Sequence, residues 1–254
     1  MSDYTKLATS DTPAHIVYVL DASGTMGNIL DGRTRADWLS EALEHALDNM
    51  IERSYTDEIY HSRYRVAVIT YANEVDATLT NNGFIDVKAF WDSGIPQFKP
   101  GGETNTAKAL GKAYEILENL LGDSEVKKKC PAPLVCHVSD GEYNTGGDPM
   151  PIAEKIKKLR CDDGSVLFQN LFITDGLLAT PIKDVNSWTG FTSSNAEQYF
   201  KGNKKNYAIT LFNMSSTLPD SYASVIQDHN FNLGAGSRMM YPGISFELIT
   251  LQKG

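Results

Sequence analysis

Apolar and polar positions along this chain switch between two periods. His15-Ile-Val-Tyr-Val-Leu-Asp21 is an apolar, β-rich run, and Val17, Val19 and Leu20 make a strand at 15–21 that reads as buried on both faces. Strands of a parallel sheet read this way. From Arg35 to Arg53 the period becomes helical: Leu39, Ala42, Leu43, Ala46, Leu47, Met50 and Ile51 form one stripe, with Trp38, Glu41, His45 and Asp48 off it or at its rim. Tyr64–Tyr71 is the next strand. Val75–Leu79 alternates more weakly and reads as an antiparallel edge joined by the Ala72-Asn73-Glu74 turn. Phe84–Phe98 mixes aromatics and prolines, as a short helix and loop would.

The pattern continues with a helix over 105–121 that turns Ala109, Leu110, Ala113, Tyr114, Leu117 and Leu121 inward, with Gly122 as its stop. Lys127-Lys128-Lys129-Cys130 reads as an exposed basic loop. A strand at 134–139 follows, then a short helix with Ile152, Ala153, Ile156 and Leu159 inside, then a strand at 166–174. Beyond that, 177–205 is polar with scattered aromatics, among them Trp188, Phe191 and Phe200. Residues 207–212 read as a helix. Met214–Pro219 reads as a cap leading into another helix through Gln227. Residues 234–243 are turn-rich, and 246–251 make a last strand or short helix. Strand alternating with helix over 15–175 predicts an α/β fold: a doubly wound, mostly parallel sheet with one antiparallel edge strand and helices on both faces. A flexible arm over 1–13 precedes a single domain over 14–254.

The strand ends carry the chemistry. The first stops in Asp21-Ala22-Ser23-Gly24-Thr25, a carboxylate and two hydroxyls at alternate positions. The strand at 134–139 stops in Asp140-Gly141, and Gly101-Gly102-Glu103-Thr104-Asn105-Thr106 opens a helix. In open α/β sheets ligands sit beyond the carboxyl ends of the strands. Carboxylates and hydroxyls are hard oxygen donors, suited to Mg²⁺ or Mn²⁺ and poor for Zn²⁺. Each piece alone has a plainer use. Asp21, Ser23 and Thr25 fit a helix cap and turn, Thr104 fits an N-cap, and Asp140 before Gly fits a turn, as does Asp175-Gly176. Glu142 and Asn144 read as solvated loop residues, His137 as a satisfied core histidine, and Met239-Met240 as core packing.

Together the three segments resemble the von Willebrand factor type A domain over about residues 14–175. The resemblance implies a metal-ion-dependent adhesion site whose ligands are Asp21, Ser23, Thr25, Thr104 and Asp140. Thr25 stands where the family usually has Ser; it keeps the hydroxyl and adds a methyl. Thr104 is preferred to Thr106 because its spacing to Ala109-Leu110 matches the family's pattern. Gly24, Glu103, Gly141 and Glu142 would form the rim. The resemblance further implies Mg²⁺ or Mn²⁺ as cofactor and, at the remaining coordination position, a carboxylate from a partner protein. It implies a compact intracellular bacterial type, working with kinase and PP2C-type phosphatase partners.

Bulk numbers narrow the classes. The 254 residues are 41% hydrophobic and 22% charged, ordinary for one globular domain. A net charge of −9 argues against nucleic acid and an anionic membrane surface. The first residues lack a basic start and apolar core, so no signal peptide is expected, and no run reaches spanning length. Three cysteines, Cys130, Cys136 and Cys161, lack metal-type spacing and read as reduced, in a cytoplasmic setting. No nucleophile with a base partner is apparent, so binding is expected in place of catalysis. The rival is a haloacid dehalogenase-like phosphohydrolase with Asp21 as nucleophile and Asp162-Asp163 as a later acidic pair. It lacks the second motif acid, because Ser23 stands there.

Overall fold

The computed structural model describes residues 3–173, 178, 182, 187–200, 202, 205–222 and 232–242. Strand β1 (Ala14–Asp21) lies in the middle of its sheet, pairing in parallel with β2 (Tyr64–Tyr71) on one side and β5 (Leu134–Ser139) on the other. Two short segments, β3 (Val75–Asp76) and β4 (Ile85–Asp86), run antiparallel to β2 and make that edge. Beyond β5 come β6 (Leu167–Phe172) and β7 (Met240–Pro242), both parallel. Among the described residues the order is therefore β7-β6-β5-β1-β2-β3, with β4 also on β2. This is the predicted α/β class.

Side chains of β1 point alternately to two cores, as a period of two requires. Ile16, Tyr18 and Leu20 join α1 (Arg35–Arg53) and α2 (Val87–Asp92). Val17 and Val19 join α3 (Thr106–Gly122) and α5 (Met150–Lys158) on the opposite face. Burying β1 on both sides explains its unbroken apolar run. The predicted stripe of α1 is buried from Leu39 to Met50. A capping box starts the helix: the Thr34 hydroxyl accepts from Asp37 N–H at 3.1 Å, and Asp37 accepts from Thr34 N–H.

Several expectations are corrected. Lys127–Lys129 lie in a helix, α4 (Ser124–Lys129), whose first amides are capped by Asp123 and whose last turn holds the three lysines beside the carbonyl ends. The edge strand stops at Asp76, whose carboxylate accepts from Thr78 N–H at 2.8 Å and turns the chain into a 3₁₀ turn over Thr78–Thr80. After Pro219 the described chain makes a 3₁₀ turn, Asp220–Tyr222; the helix expected through Gln227, the segment 246–251 and Asp175-Gly176 lie outside the described residues. The helix expected over 207–212 is present as α7 (Lys205–Met214), following the short α6 (Ala196–Tyr199). Trp188, Phe191 and Phe200, scattered in a polar stretch, cluster in the core with ring centroids 4.8 and 5.2 Å apart. Met239 and Met240 are buried there too. Residues 4–6 are held at the amide level, with Asp163 accepting from Thr5 and Lys6 N–H at 2.8 and 2.9 Å.

Candidate metal centre

The sheet order decides where the acids meet. β1 and β5 are neighbours, with Leu20 opposite Val138, so Asp21 and Ser139 end the two strands side by side. The chain leaves β1 for α1 on one face and leaves β5 for α5 on the other. Connections diverging to opposite faces open a crevice at the carboxyl ends. Asp21, Ser23 and Asp140 lie there, all essentially buried.

Asp21 is fixed by two donors. Ser23 N–H reaches Oδ1 at 2.8 Å and Ser139 Oγ–H reaches Oδ2 at 3.0 Å. Ser139 in turn accepts from Gly141 N–H at 2.8 Å. A 3₁₀ turn, Gly24–Gly27, follows Ser23, and Met26 plugs it into the core. The Ser23 and Thr25 hydroxyl oxygens are 3.3 Å apart, on one side of the turn.

The Gly-Gly segment is stitched to this turn through backbone. Gly24 N–H donates to Gly102 O and Gly101 N–H to Ala22 O, both at 3.0 Å. Gly102 has φ +74°, and a Cβ there would sit 2.7 Å from Asn73 Oδ1, so a side chain is excluded twice over. Thr104 is 3% exposed and caps no helix; Asn105 does, accepting from Lys108 N–H at 3.0 Å. Thr104 is instead tied to the loop after Asp140. Its N–H donates to Asn144 Oδ1 at 2.8 Å, and its carbonyl accepts from Asn144 and Thr145 N–H at 3.2 and 3.3 Å.

Asp140 has both oxygens engaged. Arg35 Nη1 donates to Oδ2 at 2.8 Å, and Glu142 N–H to Oδ1 at 3.2 Å. Of the rim residues, Gly24 and Glu103 are exposed and Glu142 half-buried, whereas Gly141 is buried with φ +88°. Sequence reasoning gave no role at the site to Arg35, Ser139 or Asn73, and read Asn144, which holds Thr104, as a solvated loop residue. Arg35 alone carried a signal: a cation in the first turn of a helix opposes the macrodipole and calls for an anion nearby.

Burial pushes the Asp21 carboxyl up to about 7, against the Ser23 and Ser139 hydrogen bonds and with the charge of Asp140 adding to the rise. Two carboxylates facing one dry crevice favour a cation between them. Among the described residues no cluster of three His, Cys, Asp or Glu could hold a metal. The donors here are two carboxylates and neutral hydroxyls, which fit a hard divalent ion and disfavour Zn²⁺. His137 is no ligand; it is buried and bonded on both ring nitrogens, to Tyr71 and Asn170, and burial lowers it to about 4. Asp163 precedes β6 and binds the backbone of residues 5, 6 and 132. It lies at the sheet edge opposite Asp21, so the two cannot share a substrate.

The sequence model described as the von Willebrand factor type A domain matches residues 16–142, half of the chain, and takes in all five candidate ligands. The chain belongs to this family. Such domains commonly mediate protein–protein interactions. Proximal thread matrix protein 1 from the mussel byssus superposes with a TM-score of 0.54 at 13% identity, covering 96% of this chain and 47% of that one. The vWF domain of the type V pili tip protein Mfa5 from Porphyromonas gingivalis gives 0.39 at 22% identity, over 55% of this chain and 40% of that one. An aerotolerance-related membrane protein from Bacteroides fragilis gives 0.48 at 12% identity, over 94% of both. This type A domain spans only 21% of a structure of three N-terminal domains of Mfa5. These are likenesses of fold. No curated protein matches the chain. Among the described residues no helix is long and apolar enough to cross a membrane.

Proposed function

We propose that this type A domain is a binding module that grips an acidic residue of a partner protein through a divalent ion, and is not an enzyme. One observation carries the reading: two fully buried carboxyl groups, Asp21 at the end of β1 and Asp140 just past the end of neighbouring β5, lie beside the Ser23 and Thr25 hydroxyls. Asp21, Ser23, Thr25, Thr104 and Asp140 would hold Mg²⁺ or Mn²⁺. Once bound, the ion supplies a Lewis-acidic position to one outside oxygen. A carboxylate has the charge and hardness for that position. Loops 24–33, 99–103 and 140–147, with Gly24, Glu103 and Glu142 at the surface, would select the partner. The setting we propose is an intracellular bacterial signalling or stress-response complex, with a kinase or PP2C-type phosphatase as partner. Three free, buried cysteines are compatible with a reducing compartment.

Thermal melting tests the metal. Saturating Mg²⁺ or Mn²⁺ should raise Tm by about 5–10 °C, and Asp21→Ala should remove that rise while the domain still folds. A wild type whose Tm ignores both ions would leave a metal-free scaffold. Hydrolysis of p-nitrophenyl phosphate that vanishes in Asp21→Asn would replace the binding reading with a phosphatase.

A further inference from the structure

Arg35 is the first residue of α1, yet it is only 7% exposed. A cation in that position meets the positive end of the helix dipole and loses water as well. Asp140 offsets both costs, at 2.8 Å and with no exposure of its own. The same Nη1 lies 3.3 Å from the Thr25 carbonyl. One guanidinium therefore links the turn carrying Ser23 and Thr25 to the loop carrying Asp140.

We infer that Arg35 is the resident cation of the Asp140 loop, and that it holds the site assembled without metal while weakening the grip on a divalent ion. The inference rests on the metal-binding reading above. A guanidinium on Oδ2 matches the charge of Asp140 before any ion arrives. An incoming ion must then share that carboxylate with a fixed positive charge, and in a buried site like charges repel strongly. Arg35 is thus a positioning residue whose charge sets affinity. It lowers the affinity for the ion and keeps the site folded when no ion is bound.

The test uses the whole chain with Mn²⁺ as the probe. Arg35→Gln removes the charge and keeps polar reach; Arg35→Lys keeps the charge. In EDTA, Arg35→Gln should melt at least about 5 °C below wild type, since Asp140 is left buried without its counter-charge. In calorimetric titration it should bind Mn²⁺ at least tenfold tighter than wild type, with Arg35→Lys staying near wild type. If wild type and Arg35→Gln both bind with equal affinity, or the variant binds more weakly, this inference falls and the metal reading stands. If neither binds, both fall. If only Arg35→Gln binds, Arg35 is the occupant that excludes the ion, the same effect at its limit. Should Arg35→Gln fail to fold, nuclear magnetic resonance of the wild-type Arg35 guanidinium decides. Its signals should shift as Mg²⁺ is added, and unmoved signals in Mg²⁺-bound protein would overturn the inference.

Discussion

Tyr71 donates its hydroxyl hydrogen to His137 Nε2, 2.8 Å away in the core beneath Asp21. The direction follows from the far side of the ring. Asn170 Nδ2 donates to Leu211 O and Ser215 Oγ, so Asn170 Oδ1 is an acceptor and His137 Nδ1 carries the proton at 2.7 Å. Nε2 is then left with a lone pair, and Tyr71 must fill it. Thr106 Oγ1 lies 3.4 Å from the Tyr71 oxygen, completing a buried polar chain from α3 to α7.

Tyr71→Phe should therefore cost about 1–3 kcal/mol in urea denaturation, because it strands a buried ring nitrogen. Adding His137→Phe should recover part of the loss, since neither partner is then orphaned. Strictly additive losses would show that the pair is not coupled.

Acid should destabilise the protein through its buried histidines. Burial lowers both His15 and His137 to about 4, from 6.5. As pH falls from 6.5 toward 4 the unfolded chain takes protons that the folded chain refuses, so stability is lost over that window. Each group contributes at most about 1.4 kcal/mol per pH unit. Asp21 works in the other direction, since its folded value of about 7 lies above 3.8 and its contribution is lost as pH rises. Urea curves from pH 7 to 4.5 should show a shallower acid loss in His137→Gln and a steeper one in Asp21→Asn.

Metal uptake should compete with a proton. Asp21 must ionise to serve as a ligand, and its carboxyl is pushed up to about 7 by burial and by Asp140. Mg²⁺ affinity should fall by up to about tenfold per pH unit below 7 and level off above it. Calorimetry at pH 6 in two buffers of different ionisation enthalpy should register proton release. A flat affinity from pH 6 to 8 would contradict the raised carboxyl.

Asn144→Ala should loosen the Thr104 segment without unfolding the domain. It removes the acceptor of the Thr104 N–H, at a residue 3% exposed. The expected loss is about 1–2 kcal/mol, with a smaller Mg²⁺-dependent gain in Tm than wild type. An unchanged gain would show that Asn144 does not position Thr104.

Local pattern alone determined much of this protein. The two-sided apolar run of β1, the stripe of α1 and the alternation to β6 specified the α/β class, because burial period is written directly into sequence. The residues Asp21, Ser23, Thr25, Thr104 and Asp140 were legible as oxygen donors just after apolar strands or just before a helix. What holds them was not. Arg35 was legible as a cation at a helix start, but which acid it meets was not, and Ser139 was legible only as the last residue of a core strand. Their partners lie 105 and 118 positions away in sequence. The burial of Trp188, Phe191 and Phe200 from a polar stretch was equally hidden. Tertiary structure decided these because a buried ion pair or a strand-end hydrogen bond depends on which chain ends the sheet order makes neighbours, and no local periodicity encodes that order.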